Sequence, residues 1–173
     1  MLSKKGEQMK NNKILTILCS ILFLSAIGCS EVRRFYYESG ELKEEASYNK
    51  GKQEGLTKTY YVSGPLRWEA NYKEHKQEGF SREYYRSGGL KSEVNYKDGQ
   101  KEGITKTYYV SGELRGEANY KEGKQEGLTK EYYRNGEIFY IDTYKNDQLI
   151  KKKSYDETGK LVLEQDFPYK EKK

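Results

Sequence analysis

Side chains able to act as acids, bases or ligands are few in kind and regular in place. His75 is the single histidine, at a position filled elsewhere by Gly51, Gly99 and Gly123. Such a turn supplies no evident partner for a catalytic base or a metal ligand, so neither a histidine triad nor a zinc cluster is indicated. Carboxylates form two series: Glu54, Glu78, Glu102 and Glu126, each before a glycine, and Glu45, Glu69, Glu93 and Glu117, each three residues after a leucine. Repetition points to structure, because opposite charges facing across strands contribute roughly 0.2–1 kcal/mol each. Acid–base catalysis needs one pair whose environments set the two groups apart. No catalytic residue, metal ligand or cofactor is therefore assigned. Aromatic residues offer more: with 18 tyrosines, one row (Tyr61, Tyr85, Tyr109 and Tyr133) together with Trp68 forms the candidate binding surface. Rings of this kind stack on sugars or anchor a protein partner. Trp68 falls where other copies have Ser92 and Gly116, so it is an aromatic that the repeat itself does not demand.

The cysteines belong to a different chemistry. Lys10 and Lys13 precede the apolar run Ile14 to Leu24, and the small residues Ser25-Ala26-Ile27-Gly28 lead to Cys29. A positive start, a short apolar stretch and a small-residue site make a signal peptide, too short for the ~20 apolar residues of a transmembrane helix. Met9 also suits a start, since Met9 to Lys13 already supplies the positive segment. Ala26-Ile27-Gly28-Cys29 resembles the bacterial lipobox, which implies lipidation of Cys29 and export to a membrane of the cell envelope. Ser30 in the next place implies the outer membrane where the cell has one. Cys19 leaves with the signal peptide, so neither disulfides nor cysteine-bound metals hold the remainder together. The whole chain carries 32 basic and 27 acidic residues. Residues 1–28 hold four of those lysines and one glutamate, so the rest is nearly balanced. That mixture, together with export, argues against nucleic acid as a partner.

With 34% hydrophobic and 34% charged residues, an ordinary globular core is out of reach, yet a disordered chain would be poor in aromatics. A fixed period resolves the conflict. Residues 52–75, 76–99, 100–123 and 124–147 align without gaps, bringing Tyr60, Tyr84, Tyr108 and Tyr132 together, and likewise Gly64, Gly88, Gly112 and Gly136, and Tyr72, Tyr96, Tyr120 and Tyr144. A partial copy starts at Tyr36-Tyr37, and a degenerate one, one residue short, runs from Tyr155 to Phe167, giving six. Within a unit, Gly55 to Val62 and Leu66 to Lys73 predict strands, and glycines return too often for helices. Ser63-Gly64 and Asn135-Gly136 suit hairpin turns, and Asp98-Gly99 and Glu122-Gly123 suit the connections between units.

The pattern from Gly55 to Gly79, with its paired tyrosines, Gly64, Glu69, Tyr72, Lys76 and Glu78, resembles the MORN-variant repeat, including proteins labelled YwqK-family antitoxins. The resemblance covers residues 35–167. It implies β-hairpin arrays, protein–protein contacts and, in some members, association with membrane lipid. The antitoxin label implies binding and neutralising a toxin.

Together these features predict an all-β fold: an elongated single-layer antiparallel meander of ten to twelve strands, on the order of 50 Å long at ~4.8 Å per strand, preceded by a signal helix. The expected organisation is a signal peptide over 1–28, a lipidated N-terminus and linker over 29–35, six repeats over 36–167 and a basic tail over 168–173. The expected function is non-catalytic: a lipid-anchored envelope protein presenting its repeats to a protein, or to a glycan. A toxin-neutralising inhibitor is the alternative, and an envelope hydrolase the weaker one.

Overall fold

The computed structural model describes residues 30–171, so the signal segment and Cys29 lie outside the described residues. Thirteen strands form one open antiparallel sheet, and the described residues contain no helix. The strands are β1 (Ser30–Tyr36), β2 (Leu42–Asn49), β3 (Lys52–Tyr60), β4 (Leu66–Lys73), β5 (Lys76–Tyr84), β6 (Leu90–Lys97), β7 (Gln100–Lys101), β8 (Gly103–Tyr108), β9 (Leu114–Lys121), β10 (Lys124–Tyr132), β11 (Ile138–Lys145), β12 (Gln148–Tyr155) and β13 (Leu161–Asp166). They follow one another in chain order across the sheet, with β7 paired to β6 beside the main path. One strand more than the upper expectation arises because a single repeat strand is interrupted at Glu102, whose N–H turns to the Asn95 carbonyl (2.9 Å). The chain is already in the sheet at Ser30, within the stretch 29–35 read from sequence as a linker.

Two kinds of turn alternate. At one end, Gly64 N–H donates to the Tyr61 carbonyl (2.8 Å) and Tyr61 N–H to that of Pro65 (2.9 Å). Tyr61 and Val62 therefore belong to the turn, and β3 ends at Tyr60, earlier than the sequence suggested. Gly64 takes φ 101° there, a value L side chains resist. At the other end, two-residue loops place both central residues at positive φ, as in Asp98 (51°) and Gly99 (82°), the twist-matched hairpin turn. His75 (68°) and Asp147 (65°) hold the same conformation without being glycine. Each such turn rests on the one before: the N–H groups of His75, Gly99, Gly123 and Asp147 donate to the carbonyls of Gln53, Gln77, Lys101 and Gln125 at 2.9–3.1 Å.

The tyrosines lock one repeat to the next. The hydroxyls of Tyr37, Tyr61, Tyr85, Tyr109 and Tyr133 donate to the backbone carbonyls of Tyr60, Tyr84, Tyr108, Tyr132 and Tyr155 at 2.6–2.9 Å. The separation is 23 residues in the first four bonds and 22 in the last, where the degenerate copy has lost one residue. The glutamates that precede a glycine cap the turns, with Glu78, Glu102 and Glu126 accepting from the N–H groups of Asp98, Glu122 and Asn146 at 2.8–2.9 Å.

With a single layer there is little interior. The buried positions among the described residues form a row of small side chains along the middle of one face, including Ala46 and Ala70 at 0% exposure, Thr57, Ser81 and Thr129. Asp142 interrupts that row where the other copies carry Ala46, Ala70, Val94 and Ala118. It is 4% exposed, its Oδ1 has no partner, and its Oδ2 lies 3.6 Å from Lys152 Nζ. Burial raises the Asp142 carboxyl above its ordinary value, with Lys152 opposing the shift.

Tyr85→Phe should lower stability by about 1 kcal/mol, because the Tyr108 carbonyl loses its donor. Urea unfolding of the variant checks this, and an unchanged midpoint would show the clasp to be idle. Asp142→Ala should raise stability by about 1 kcal/mol at neutral pH, since it removes a buried, half-satisfied charge. A carboxyl raised in the folded state destabilises above its folded pKa and not below its unfolded one. The advantage of Asp142→Ala should therefore shrink as the pH falls towards 4. An advantage that grows on acidification would contradict this assignment.

Candidate functional site

The two faces of the sheet are chemically distinct. On one, a ladder of alternating charge runs strand to strand, Arg34, Glu45, Lys58, Glu69, Arg82, Glu93, Lys106, Glu117 and Lys130, each directly opposite the next. The first tyrosine of each pair leans back over the ladder: Tyr60, Tyr84, Tyr108 and Tyr132 donate to Glu45, Glu69, Glu93 and Glu117 at 2.7–3.1 Å. Hydrogen bonds from Arg34 and Lys130 hold Glu45 and Glu117 below the usual carboxylate range. Burial and then the Glu93 carboxylate push the Tyr108 hydroxyl up to about 12. These carboxylates sit between cations and under phenols, in near-identical surroundings, so none is set apart as acid or base.

His75 belongs to the turn architecture, with Nδ1 accepting from Gln53 N–H at 3.3 Å, the place that Asp147 Oδ1 takes against Gln125 N–H at 2.7 Å. Among the described residues, no group of three or more His, Cys, Asp or Glu side chains could hold a metal ion. Nor is any described helix long and apolar enough to cross a membrane.

Trp68 and the row Tyr61, Tyr85, Tyr109 and Tyr133 occupy different surroundings. Trp68 is half-buried, its Nε1–H donating to Ser81 Oγ at 2.9 Å and its ring meeting Tyr72 edge-on at 6.4 Å. The four tyrosines spend their hydroxyls on the next repeat's backbone, leaving ring faces and edges available. Arg86 lies 5.5 Å from the Tyr61 ring and Arg134 5.5 Å from that of Tyr109. Tyr109 and Tyr133 also line a shallow recess of about 360 Å³ with Arg134, Asn135 and Glu157.

A second site lies on the face opposite the charge ladder. There the register sets Trp68, Ser92, Gly116 and Tyr140 at one repeat position. Where the indole of Trp68 covers its neighbours, Gly116 leaves a gap, and a groove of about 330 Å³ opens. Thr107, Gly116, Ala118 and Thr129 floor it, and Tyr120, Tyr140 and Tyr144 wall it. Lys101, Gln125 and Glu131 supply polar groups around these rings. Gln125 Nε2–H is fixed to Thr129 Oγ1 (2.6 Å), and Lys101 Nζ stands 4.7 Å from the centre of the Tyr120 ring. Burial, followed by the Glu131 carboxylate, raises the Tyr140 hydroxyl above its ordinary value. Rings, a fixed amide, one cation and one carboxylate suit recognition of a side chain or small polar group.

Sequence reasoning reached Trp68 through its departure from the repeat but passed over Gly116, Tyr140 and Lys101. The same signal was present, since Gly116 and Tyr140 depart at the same repeat position and Lys101 stands where Gln53, Gln77 and Gln125 recur. A missing side chain reads as neutral in a sequence and becomes a cavity only when its neighbours across the strands are known.

The MORN repeat variant family matches residues 32–50, 77–98, 101–122 and 125–146. The copy at 52–75 keeps the same strand pairing outside those segments. No curated protein matches this sequence. Among solved structures, a chain in the crystal structure of accessory secretory protein 1, 2 and 3 in Streptococcus pneumoniae aligns at 11% identity and a TM-score of 0.33. The alignment covers 65% of this chain and 19% of that one. With the repeat pattern matched four times along a sheet whose strands, turns and tyrosine clasps recur on the same period, this chain is a MORN-variant repeat protein.

Proposed function

We propose that this protein is a non-catalytic, lipid-anchored component of the bacterial cell envelope that offers its elongated repeat sheet to a partner protein. The groove over Gly116 is the seat for one projecting side chain of that partner. The observation carrying this reading is the gap left at Gly116, at the repeat position where Trp68 and Tyr140 place rings in other copies. Protein interfaces concentrate their energy in such pockets, where one anchor is desolvated between rings and a surrounding polar rim orients it. Tyr120, Tyr140 and Tyr144 are the rings, and Lys101 and Glu131 give the rim both signs of charge. Trp68 and the row Tyr61, Tyr85, Tyr109 and Tyr133 extend the contact area beyond the groove.

The lipobox-like Ala26-Ile27-Gly28-Cys29 supports the anchor. Because β1 begins at Ser30, a lipid on Cys29 would hold one corner of the sheet against the bilayer with almost no tether. That position suits a platform that works beside a membrane surface.

Two measurements test the reading. Gly116→Trp copies the tryptophan that the fold accepts at position 68 and fills the groove. Its Cβ meets Glu131 Cγ and the Lys130 carbonyl at 3.2 Å, which asks those neighbours to give a few tenths of an ångström. The variant should keep its β circular dichroism and lose at least tenfold in capture of the envelope proteins that the parent retains. Equal capture by Gly116→Trp would remove the groove from the function. Loss of glycan binding rather than protein binding in the same comparison would change the partner class. For the anchor, Cys29→Ala should move the chain out of the membrane fraction, and a variant that stays there would refute lipidation as the tether.

A further inference from the structure

The two outer strands of the sheet depart from the repeat in a coordinated way. In β13, Leu161, Val162 and Leu163 are 45%, 67% and 43% exposed, and in β1, Val32, Phe35 and Tyr36 are 47%, 43% and 44% exposed. Phe35 stands where interior copies carry Thr59, Glu83, Thr107 and Glu131, and Leu163 where they carry Trp68, Ser92, Gly116 and Tyr140. Among the described residues, no strand pairs with the outer edge of either. Flat, apolar, unpaired edges invite another strand, and the nature of that strand is set by charge and register.

We infer that β13 of one molecule pairs antiparallel with β1 of a second copy, continuing the sheet head to tail. Three observations carry this. Strand direction alternates along the path from β1 to β13, so a following β1 is antiparallel to β13 as each strand inside the sheet is to its neighbour. Extending the pairing that sets Glu45 opposite Lys58 and Glu44 opposite Thr59 across the junction sets Glu164 opposite Arg34 and Leu163 opposite Phe35. The row of charges, interrupted at Ile141 between Lys130 and Lys153, reaches the last strand as Lys153 opposite Glu164 and starts at Arg34 opposite Glu45, so the junction adds an unlike pair to it. The apolar pair Leu163 and Phe35 then meets beside it on the groove face.

The same charges disfavour the symmetric alternatives. β13 carries Glu164 and Asp166 with no cation, so two β13 edges repel one another. In β1, Arg33 and Arg34 outnumber Glu31, so two β1 edges bring net positive charge against net positive charge. Like charges directly opposite destabilise a strand pair by as much as unlike ones favour it. The contact is therefore heterologous, and a heterologous contact that repeats by the sheet's own advance gives an open string of copies rather than a closed dimer. It uses the edges of the sheet and is independent of the groove.

Cysteine cross-linking of the full chain in intact cells tests this. Phe35→Cys and Leu163→Cys expressed singly should form no disulfide-linked dimer above the parent. Both single variants expressed together should give the dimer, and the double variant should give a ladder of higher species on non-reducing gels. Glu164→Lys in the double-cysteine background should reduce that ladder at least threefold, with β circular dichroism of the purified chain confirming that the sheet persists. Dimers from either single variant alone would establish a symmetric pairing and overturn the inference. So would a mixture that yields nothing above background.

Discussion

The architecture of the described residues follows from the absence, among them, of a second layer. A lone sheet cannot bury large side chains on either face, and none of the described large side chains is fully buried. Cohesion must come from contacts between neighbouring repeats, and the tyrosine clasp is the plainest of them. A phenol is long enough to span from one hairpin to the next and apolar enough to shield the backbone hydrogen bond it makes. Five such bonds reach the carbonyl of the next copy, and the turns stack on one another with the same spacing. Each repeat is thus stable only as a member of the row, as in other quasi-one-dimensional folds.

This economy constrains what the two faces can do. The ladder of alternating charge with its phenol cover is repeated almost unchanged, which makes it a stabilising and solubilising surface with little to distinguish one place from another. Chemical individuality is confined to departures from the repeat. Gly116 removes a side chain and opens the groove, Asp142 inserts a buried carboxylate into a row of small residues, and Phe35 and Leu163 put apolar groups at the two edges. Each departure has a cost in the regular pattern that its neighbours do not fully offset, and these are the places where function is to be sought.

Much of the fold was legible in the sequence. The 24-residue period, the paired tyrosines and the recurrent glycines identify hairpins in a meander, because β-hairpin turns demand positive φ at fixed places and strands demand alternation between them. The shortened last copy was legible too, and it appears in the structure as a clasp of 22 residues in place of 23. The repeated glutamates were legible as structural, since identical surroundings cannot separate their acidities. Strand ends were less so: β3 starts before Gly55 and stops short of Tyr61, because the first residues of the strand continue past a slip in register that no local propensity reveals.

What composition and period determine by themselves is the kind of object: an array of tyrosine-rich hairpins with nearly balanced charge over residues 29–173. Which residues meet was decided only by the tertiary structure, because meeting depends on cross-strand register and register depends on the bulges. Only in the folded sheet do Gly116, Tyr140 and Lys101 surround one space, do Tyr61, Tyr85, Tyr109 and Tyr133 spend their hydroxyls on the next repeat, and do nine charges from Arg34 to Lys130 line up as one ladder. The physical reason is that a side chain's meaning in a sheet is set by its neighbours across the strands, some ten to twenty residues away along the chain.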